Sequence, residues 1–202
     1  MVTDYASLRS AIASLLDVAY SDISAVVPDL VVHAEKRLFR EVRTRDMEAS
    51  LSATIASGVI AVPADYVEMK FAYVDGTPTQ YLEMRPVSWI YDRYPTRASD
   101  GKPKFIARDA SNFIFGPYPD SGYTIKGTYY KRLDSVTSTT SNAIVSSMPD
   151  LYLMACLAES EPLIGRDKRI PIWESKYRMI RDEVNQEDNR SGFSGNLSVR
   201  IA

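Results

Sequence analysis

The stretch FGPYPDSGYTIKGTYYKRL, residues 115–133, contains the clearest strand signal in this 202-residue chain. Within it Tyr123, Ile125 and Tyr129 fall on one side of an extended backbone together with Gly127, and polar residues alternate with them. This period of two is typical of a strand with one buried face. The stretch therefore predicts a half-buried strand, and its tyrosines raise the question of what that strand contacts.

The same alternation extends back along the chain to Ala49. Strands are predicted near residues 51–56, 59–62, 66–74, 79–84, 104–108, 112–116 and 122–131, with glycine-containing turns at Ser57-Gly58, Asp75-Gly76, Asp100-Gly101 and Asp120-Ser-Gly122. One interruption, RPVSWIYDRYP, predicts a short helix that begins at Pro86 and ends before Pro95. Together these segments predict a small antiparallel β module, followed by a polar connector at residues 135–147.

Helical periodicity flanks the β module on both sides. A first helix is predicted to begin at Thr3 as its N-cap, and a second near Pro28. The second helix repeats apolar residues at Val31, Ala34, Leu38 and Val42. After the module, Pro149 begins a helix that is apolar on nearly every side, which predicts burial among other helices. A last helix repeats Trp173, Tyr177, Ile180 and Val184.

The order of two helices, a sheet and two helices predicts an α+β fold. Neither helical hairpin alone covers both of its apolar stripes, so the two hairpins are expected to pack as a four-helix base from which the β module projects. The predicted domains are 1–48 and 149–188 for the two halves of the base, 49–148 for the β module with its connector, and 189–202 for an extended C-terminal arm.

Composition excludes several classes of protein. The net charge of −2 gives no overall attraction to nucleic acid or to acidic membranes. A single cysteine, Cys156, rules out an internal disulfide framework and a cysteine-based zinc cluster. The first residues lack a signal-peptide pattern, and no apolar run is long enough to span a bilayer. The chain is therefore expected in a reducing cytoplasm or in an assembly made there.

Catalytic motifs are missing from the sequence. It contains no Gly-rich phosphate loop, no G-x-S-x-G elbow and no H-E-x-x-H pair. His33 is the only histidine, and Cys156 lies in the most apolar helix, so both are interpreted as packing residues. An enzyme that uses His33 and Glu159 is the least favoured hypothesis, and no catalysis, cofactor or metal is predicted.

Two other segments are candidate contact sites. Basic residues cluster on the second helix at Lys36, Arg37, Arg40 and Arg43, where they are expected to face DNA phosphates, a neighbouring subunit or solvent. Near the C-terminus, a loose spacer precedes Leu197, Val199 and Ile201, which alternate with Ser198 and Arg200. That alternation without a local partner suits strand addition onto another subunit, or else a frayed tail.

Several motifs in order resemble a known family. They are VPADYVEM, SWIYDRYP, GKPKFIARDASNFIFGPYP, YTIKGTYYKRL and MPDLYLMACLAESEPLIGRDKRIPIWESKYRMIRDEV. Their order and spacing resemble the head-to-tail adaptor proteins of short-tailed bacteriophages over most of residues 3–188. The matching positions include Pro149–Leu153 at the entry to an alanine-rich helix, the charged break Arg166–Arg169, and the pair Trp173 and Tyr177.

The resemblance implies a virion structural protein without catalysis. Such adaptors form a ring, commonly of twelve copies, under the portal, and extend the DNA channel without sequence-specific DNA binding. They offer a surface to tail or nozzle proteins, and an extended C-terminal segment binds the portal. Here that arm would use Phe193, Leu197, Val199, Arg200 and Ile201. The protein would reside at the portal vertex, with no membrane partner, after assembly in the host cytoplasm.

The tyrosines of the β module then have an expected role. Tyr118, Tyr123 and Tyr129 are predicted to form a sheet contact face for neighbouring copies or tail proteins, because a tyrosine combines apolar area with a hydroxyl. The alternative hypothesis is a carbohydrate- or peptide-binding module that uses the same aromatic face.

Overall fold

The computed structural model describes residues 2–97, 101–161, 165 and 167–192, with side chains as far as Glu187. The chain divides into two compact units. One, which we call the helical unit, joins Met1–Met47 to Leu133–Ala202, and the other, the sheet unit, is Glu48–Arg132. The α+β class predicted from the sequence is confirmed.

Most helices of the described chain lie before or after the sheet unit, and one lies within it. They are α1 (Tyr5–Leu16), α2 (Tyr20–Ile23), α3 (Val27–Glu41), α4 (Val87–Arg93), α5 (Val136–Thr139), α6 (Ala143–Ser147), α7 (Pro149–Ala158) and α8 (Ile170–Gly192), with a 3-10 turn at Arg45–Met47. All except α4 belong to the helical unit.

The first helix begins one residue later than the sequence predicts. Asp4, and not Thr3, is the N-cap: its carboxylate accepts a hydrogen bond from the Ser7 backbone N–H, and the Ser7 hydroxyl accepts one from the Asp4 N–H. This capping box satisfies two amide donors that a free helix end would leave unpaired. Thr3 donates its own N–H to the same Ser7 hydroxyl.

Helix α7 lies at the centre of the helical unit, as its apolar sequence predicts. It packs against α1, α3, α6 and α8. Its residues Leu151, Tyr152, Ala155, Cys156 and Leu157 are all fully buried. The apolar stripe of α3 and the α8 residues Trp173 and Tyr177 are buried as well. A helix surrounded on several sides needs no polar face, which explains why its sequence shows no amphipathic pattern.

Eight strands form two sheets in the described part of the sheet unit. They are β1 (Glu48–Thr54), β2 (Val59–Ala61), β3 (Tyr66–Val74), β4 (Gln80–Tyr81), β5 (Glu83–Met84), β6 (Phe105–Asp109), β7 (Asn112–Gly116) and β8 (Thr124–Lys131). The first sheet has the order β1-β8-β3-β4 and the second has the order β2-β7-β6-β5.

This architecture differs in two ways from the small antiparallel module that the sequence predicts. The segment predicted as one strand at 79–84 divides between the sheets: β4 pairs with β3 in the first, and β5 pairs with β6 in the second. The β5–β6 pairing is also parallel. The change occurs at Leu82, which is 2% exposed and donates its N–H to the Ala72 carbonyl. Alternation identifies strands but does not identify their partners, so the sequence could not predict this division.

The two sheets enclose one apolar core. Residues of both sheets meet in it, among them Leu51, Met69, Ile106, Phe113, Phe115, Ile125 and Tyr129. The second sheet is covered on its other face by α4, where Ile90 packs with Ala107 and Ile114. This two-sided burial explains why Phe113, Ile114 and Phe115 form a continuous apolar run without alternation.

The first and last strands of the sheet unit bring its two ends next to each other. Glu48, its first residue, pairs directly with Tyr130 near its end. The chain leaving β8 then forms α5 and α6, which occupy the stretch predicted as a polar connector and belong to the helical unit. Asn142 caps α6 through a bond from the Val145 N–H, and Ser135 caps α5.

Candidate interaction surfaces

Two of the three tyrosines predicted as a contact face point into the core of the sheet unit. Tyr129 is 6% exposed, and its hydroxyl donates a 3.0 Å hydrogen bond to Asp65. Burial, followed by that hydrogen bond, raises the pKa of Tyr129. Tyr123 packs, partly buried, against the same core. The three rings therefore do not form one exposed surface.

The remaining tyrosine, Tyr118, belongs to a separate cluster around Arg97. The Arg97 guanidinium lies 5.0 Å from the Tyr118 ring centroid and 5.4 Å from that of Tyr91. One of its nitrogens donates a 2.6 Å hydrogen bond to the Phe115 carbonyl. A cation held over two aromatic rings restrains the loop that carries it. Gly58 faces Tyr118 so closely that a Cβ there would lie 2.3 Å from the ring.

The outward aromatic surface of the first sheet is built from other residues, Phe71, Tyr73 and Tyr81, which we call the outer aromatic cluster. Tyr73 pairs with Tyr81 on one side and with Lys126 on the other. The Phe71 ring lies 6.3 Å from each tyrosine ring. Tyr81 is 69% exposed. Phe71 and Tyr73 alternate along β3, which is the signal of this cluster in the sequence. The register shift between Met69 and Phe71 interrupts the pairing, so the sequence alone does not show which residues of β3 share the outer face.

Ion pairs accompany this cluster on the same face. Lys126, opposite Tyr73, contacts the Asp75 carboxylate at 2.8 Å, and the hydrogen bond that its ammonium donates to this carboxylate raises the pKa of Lys126. Lys70 contacts Glu48 at 2.5 Å. Each cation is thus matched by a carboxylate of its own subunit. An exposed aromatic centre beside polar groups has the anatomy of a protein interface.

Arg37, predicted as part of a basic face, is instead directed into the helical unit. Its guanidinium contacts Glu41 at 3.3 Å, Glu159 at 3.0 Å and Glu174 at 2.7 Å, and lies 4.3 Å from the Tyr177 ring centroid. The hydrogen bond from Arg37 lowers the pKa of Glu174. Arg37 therefore ties α3 to the end of α7 and to α8.

Glu41 extends this network to a second arginine. Burial alone would raise its pKa, but hydrogen bonds from Arg181 and Tyr177 and the charge of Arg37 lower it on balance. Arg181 approaches the Glu41 carboxylate at 2.8 Å. Asn185 on α8 accepts from the Arg43 N–H and donates to the Glu41 carbonyl, and so closes the end of α3.

The other predicted basic residues divide between inside and outside. Arg43 donates side-chain hydrogen bonds to the Phe39 and Val42 carbonyls at 2.9 and 2.8 Å. Lys36 and Arg40 are exposed, and His33 shares their face of α3, since residues three, four and seven apart lie together on a helix. Of the four basic residues predicted on this surface of α3, only Lys36 and Arg40 are exposed.

A buried carboxylate fixes the start of α5. Glu35 on α3 is 3% exposed and accepts hydrogen bonds from the Tyr152 hydroxyl and, at 2.9 Å, from the Val136 N–H. Burial, reinforced by the Glu35 charge, raises the pKa of Tyr152. Sequence reasoning missed this residue because an isolated glutamate on a helix is usually exposed.

The groups considered for catalysis are not brought together. Cys156 is fully buried, and burial raises the pKa of its thiol, so it is not an activated nucleophile. His33 is exposed on α3, whereas Glu159 is paired with Arg37. The described part of the chain contains no cluster of His, Cys, Asp and Glu able to hold a metal ion. Of its helices, none combines the length and apolar character needed to cross a bilayer.

An open groove of about 300 Å³ lies in the helical unit. Its lining includes Thr44, Asp46, Ser147, Met148, Val184 and Glu187. Thr44 is 5% exposed, and its hydroxyl oxygen has no hydrogen-bond partner among the residues that the structure describes.

The predicted arm lies mostly outside the described residues. Helix α8 continues to Gly192, so the first residues of the segment 189–202 are helical. Phe193, Leu197, Val199, Arg200 and Ile201 fall beyond the last described residue.

The sequence matches a known protein family. The sequence model of a protein family described as SU10 adaptor protein matches residues 3–200, which is nearly the whole chain. No curated protein matches the sequence.

Proposed function

Because the chain belongs to the SU10 adaptor protein family, we propose that it is the head-to-tail adaptor of a short-tailed bacteriophage. The resemblance drawn from the sequence motifs is confirmed at the level of the family. The family is one of phage structural adaptors, so the protein is a structural component of the virion. The match over residues 3–200 is the observation that carries the proposal.

In the proposed assembly, copies of the chain form a ring under the portal, commonly of twelve, and extend the channel for DNA. The helical unit serves as the base of each subunit, built from the two terminal hairpins. Its internal ion pairs around Arg37 support this role, because they join helices from both ends of the chain. The exposed Lys36 and Arg40 face either the channel or the next subunit. In the channel, these basic side chains would attract the phosphates of the DNA that passes through.

The sheet unit serves as the contact surface for tail or nozzle proteins. The outer aromatic cluster supports this assignment, since exposed tyrosines are enriched among the residues that dominate binding energy at interfaces. Tyr81 is the most exposed member, and Tyr73 lies beside the Lys126–Asp75 ion pair.

The C-terminal arm binds the portal. Leu197, Val199 and Ile201 alternate with Ser198 and Arg200, a pattern suited to adding a strand to a sheet edge of another protein. An arm that adds its strand only to an assembled portal gains the free energy of that pairing only there, which makes assembly sequential. Several neighbouring copies then add avidity.

The test is to mix the purified adaptor with the purified portal of the same phage. We expect the adaptor to remain monomeric alone and to form a ring on the portal, detected by size-exclusion chromatography and electron microscopy. No complex with the assembled portal would refute the proposed function.

A matched pair of variants tests the arm. Val199→Asp places a charge where the alternating pattern needs an apolar side chain, and should prevent docking while the adaptor remains folded. Ser198→Asp, on the opposite side of the same strand, should dock with little loss. Equal docking by both variants would contradict strand addition by the arm.

A further inference from the structure

The groove in the helical unit has a lining that combines apolar, polar and charged residues. Thr44 and Asp46 follow the end of α3, Ser147 is the last residue of α6 and Met148 follows it, and Val184 comes from α8. The groove is thus formed by three segments of one unit. Neither the fold nor the adaptor role described above assigns it a ligand.

The Thr44 hydroxyl is the first sign of a ligand. A hydroxyl can donate one hydrogen bond and accept two, and a buried polar group without any partner is destabilising. Thr44 is 5% exposed and has no such partner among the described residues. A polypeptide backbone beside it would supply both a donor and an acceptor.

The rest of the lining defines the chemistry of that polypeptide. Met148 and Val184 are apolar, whereas Asp46 and Glu187 carry carboxylates and Arg45 carries one positive charge. Two carboxylates against one guanidinium leave a surplus of one negative charge. The Ser147 hydroxyl is already engaged, since it donates to Asp46 at 2.8 Å. The groove therefore suits an extended segment with alternating apolar residues and one cation.

The chain itself contains such a segment just beyond α8. Leu197, Val199 and Ile201 alternate with Ser198 and the cation Arg200. Glu187 precedes the end of α8 at Gly192 by five residues, or about 7.5 Å along the helix axis. Residues 193–202 can extend over about 33 Å, so the segment is long enough to turn back past Glu187.

We propose that this groove binds residues 197–201 of the same chain, with the apolar side chains on Met148 and Val184 and Arg200 beside Glu187. Before assembly the tail is then held on its own subunit, and its apolar residues are kept from other partners. The portal must displace this tail from the groove, so part of the free energy of docking is used to release it. The test uses the adaptor alone, so its result is independent of whether a portal is bound.

The experiment is cross-linking within the full chain. One variant carries Ser147→Cys with Ser198→Cys, and its control carries Ser21→Cys with Ser198→Cys. Ser21 is exposed and precedes the opposite end of α3, which is about 21 Å long. The native Cys156 is fully buried and does not compete. A short bismaleimide should join the first pair within one chain about tenfold faster than the control pair.

A charge exchange gives a second readout. Adding Arg200→Glu to the first pair should slow the cross-linking about threefold, and adding Glu187→Arg as well should restore the rate. Equal rates for the two cysteine pairs would overturn the proposal, and so would cross-links that join two different chains. Failure of the charge exchange to restore the rate would overturn the placement of Arg200.

Discussion

Single side chains decide which parts of the aromatic strand remain exposed. Tyr129 places its ring between two sheets, so the strand that predicted a contact face mainly builds a core. Alternation correctly predicted that Tyr123, Ile125 and Tyr129 share a face, but both faces of that strand carry tyrosine or threonine. Nothing in the pattern therefore identified the inner one. Arg37 was hidden for a related reason, because its partners Glu159 and Glu174 are more than a hundred residues away.

Tyr129→Phe should retain the buried ring and lose only the hydrogen bond to Asp65. We expect a loss of about 1 kcal/mol in the free energy of unfolding, measured by urea denaturation. Tyr129→Ala should cost about 4 kcal/mol, because it also leaves a cavity in the core. Tyr81→Phe is the control and should change stability by less than about 0.5 kcal/mol. A loss in the control as large as that of Tyr129→Phe would contradict this account.

The carboxylates around Arg37 should make stability depend on pH. The pKa of Glu174 in the folded protein is lowered below its ordinary value of 4.5, mainly by the hydrogen bond from Arg37. The unfolded chain therefore takes up the proton first as pH falls. This contribution is present above about pH 4.5 and is lost as pH falls through the folded-state pKa.

Arg37→Met tests that dependence. It should destabilise the protein by about 2 kcal/mol at pH 7, since it leaves Glu159 without its cation and removes one of the two cations that Glu41 and Glu174 each contact. It should also reduce the further loss of stability on acidification. Urea unfolding at pH 3, 4, 5 and 7 measures both effects. Lys36→Met is the matched control on the exposed side of α3 and should behave as the unaltered protein. The same slope against pH in Arg37→Met and in the unaltered protein would refute the role of the network.

Whole elements were easier to predict than their pairing. Helices at both ends, the short helix α4 and most strands follow from periodicity and from glycine and proline, which act locally. Strand partners depend on contacts far apart in sequence, so the division between two sheets at Leu82 was not predicted. The helices α5 and α6 were missed because each is short and consists largely of serine, threonine and small apolar residues.

Gly127 controls the pairing of β3 with β8. A Cβ at this position would lie 2.3 Å from the Phe71 carbonyl oxygen and 3.0 Å from the Ala72 Cα, both of which are backbone atoms. Gly127→Ala should therefore separate the strands locally and cost about 3 kcal/mol, measured by denaturation. Gly122→Ala, where the nearest atom is 3.5 Å away, should remain within about 0.5 kcal/mol of the unaltered protein. Equal stability of the two variants would show that the strands adjust without cost.

The family of the whole molecule was identifiable from the order of its motifs, although its surfaces were not. Motifs such as PDLYL and the Trp173–Tyr177 pair record how helices pack, and so they predict the fold well. A contact surface depends instead on which side chains remain outside after folding. That is why the outer aromatic cluster was not predicted, whereas Lys36 and Arg40 were predicted together with two residues that the fold turns inward.

Tyr81→Ser tests the outer aromatic cluster as the surface for tail proteins. The variant should fold and dock on the portal normally, because Tyr81 is 69% exposed. Its affinity for the tail or nozzle protein should fall by about 2 kcal/mol, or roughly thirtyfold, as measured by titration against the portal–adaptor complex. Tyr91→Ser, an exposed tyrosine outside the cluster, is the control. Unchanged tail affinity in Tyr81→Ser would assign the docking surface elsewhere.

The pairing of Glu48 with Tyr130 has an evolutionary consequence. When the first and last residues of a segment are neighbours, two recombination events can replace the segment without moving the flanking parts of the chain apart. On the proposed contact between the sheet unit and tail proteins, an exchange of this segment would change tail specificity and leave the rest of the gene intact. We therefore expect natural variation between related phages to change residues 48–132 in blocks, and chimaeras joined at Met47 and Leu133 to remain folded.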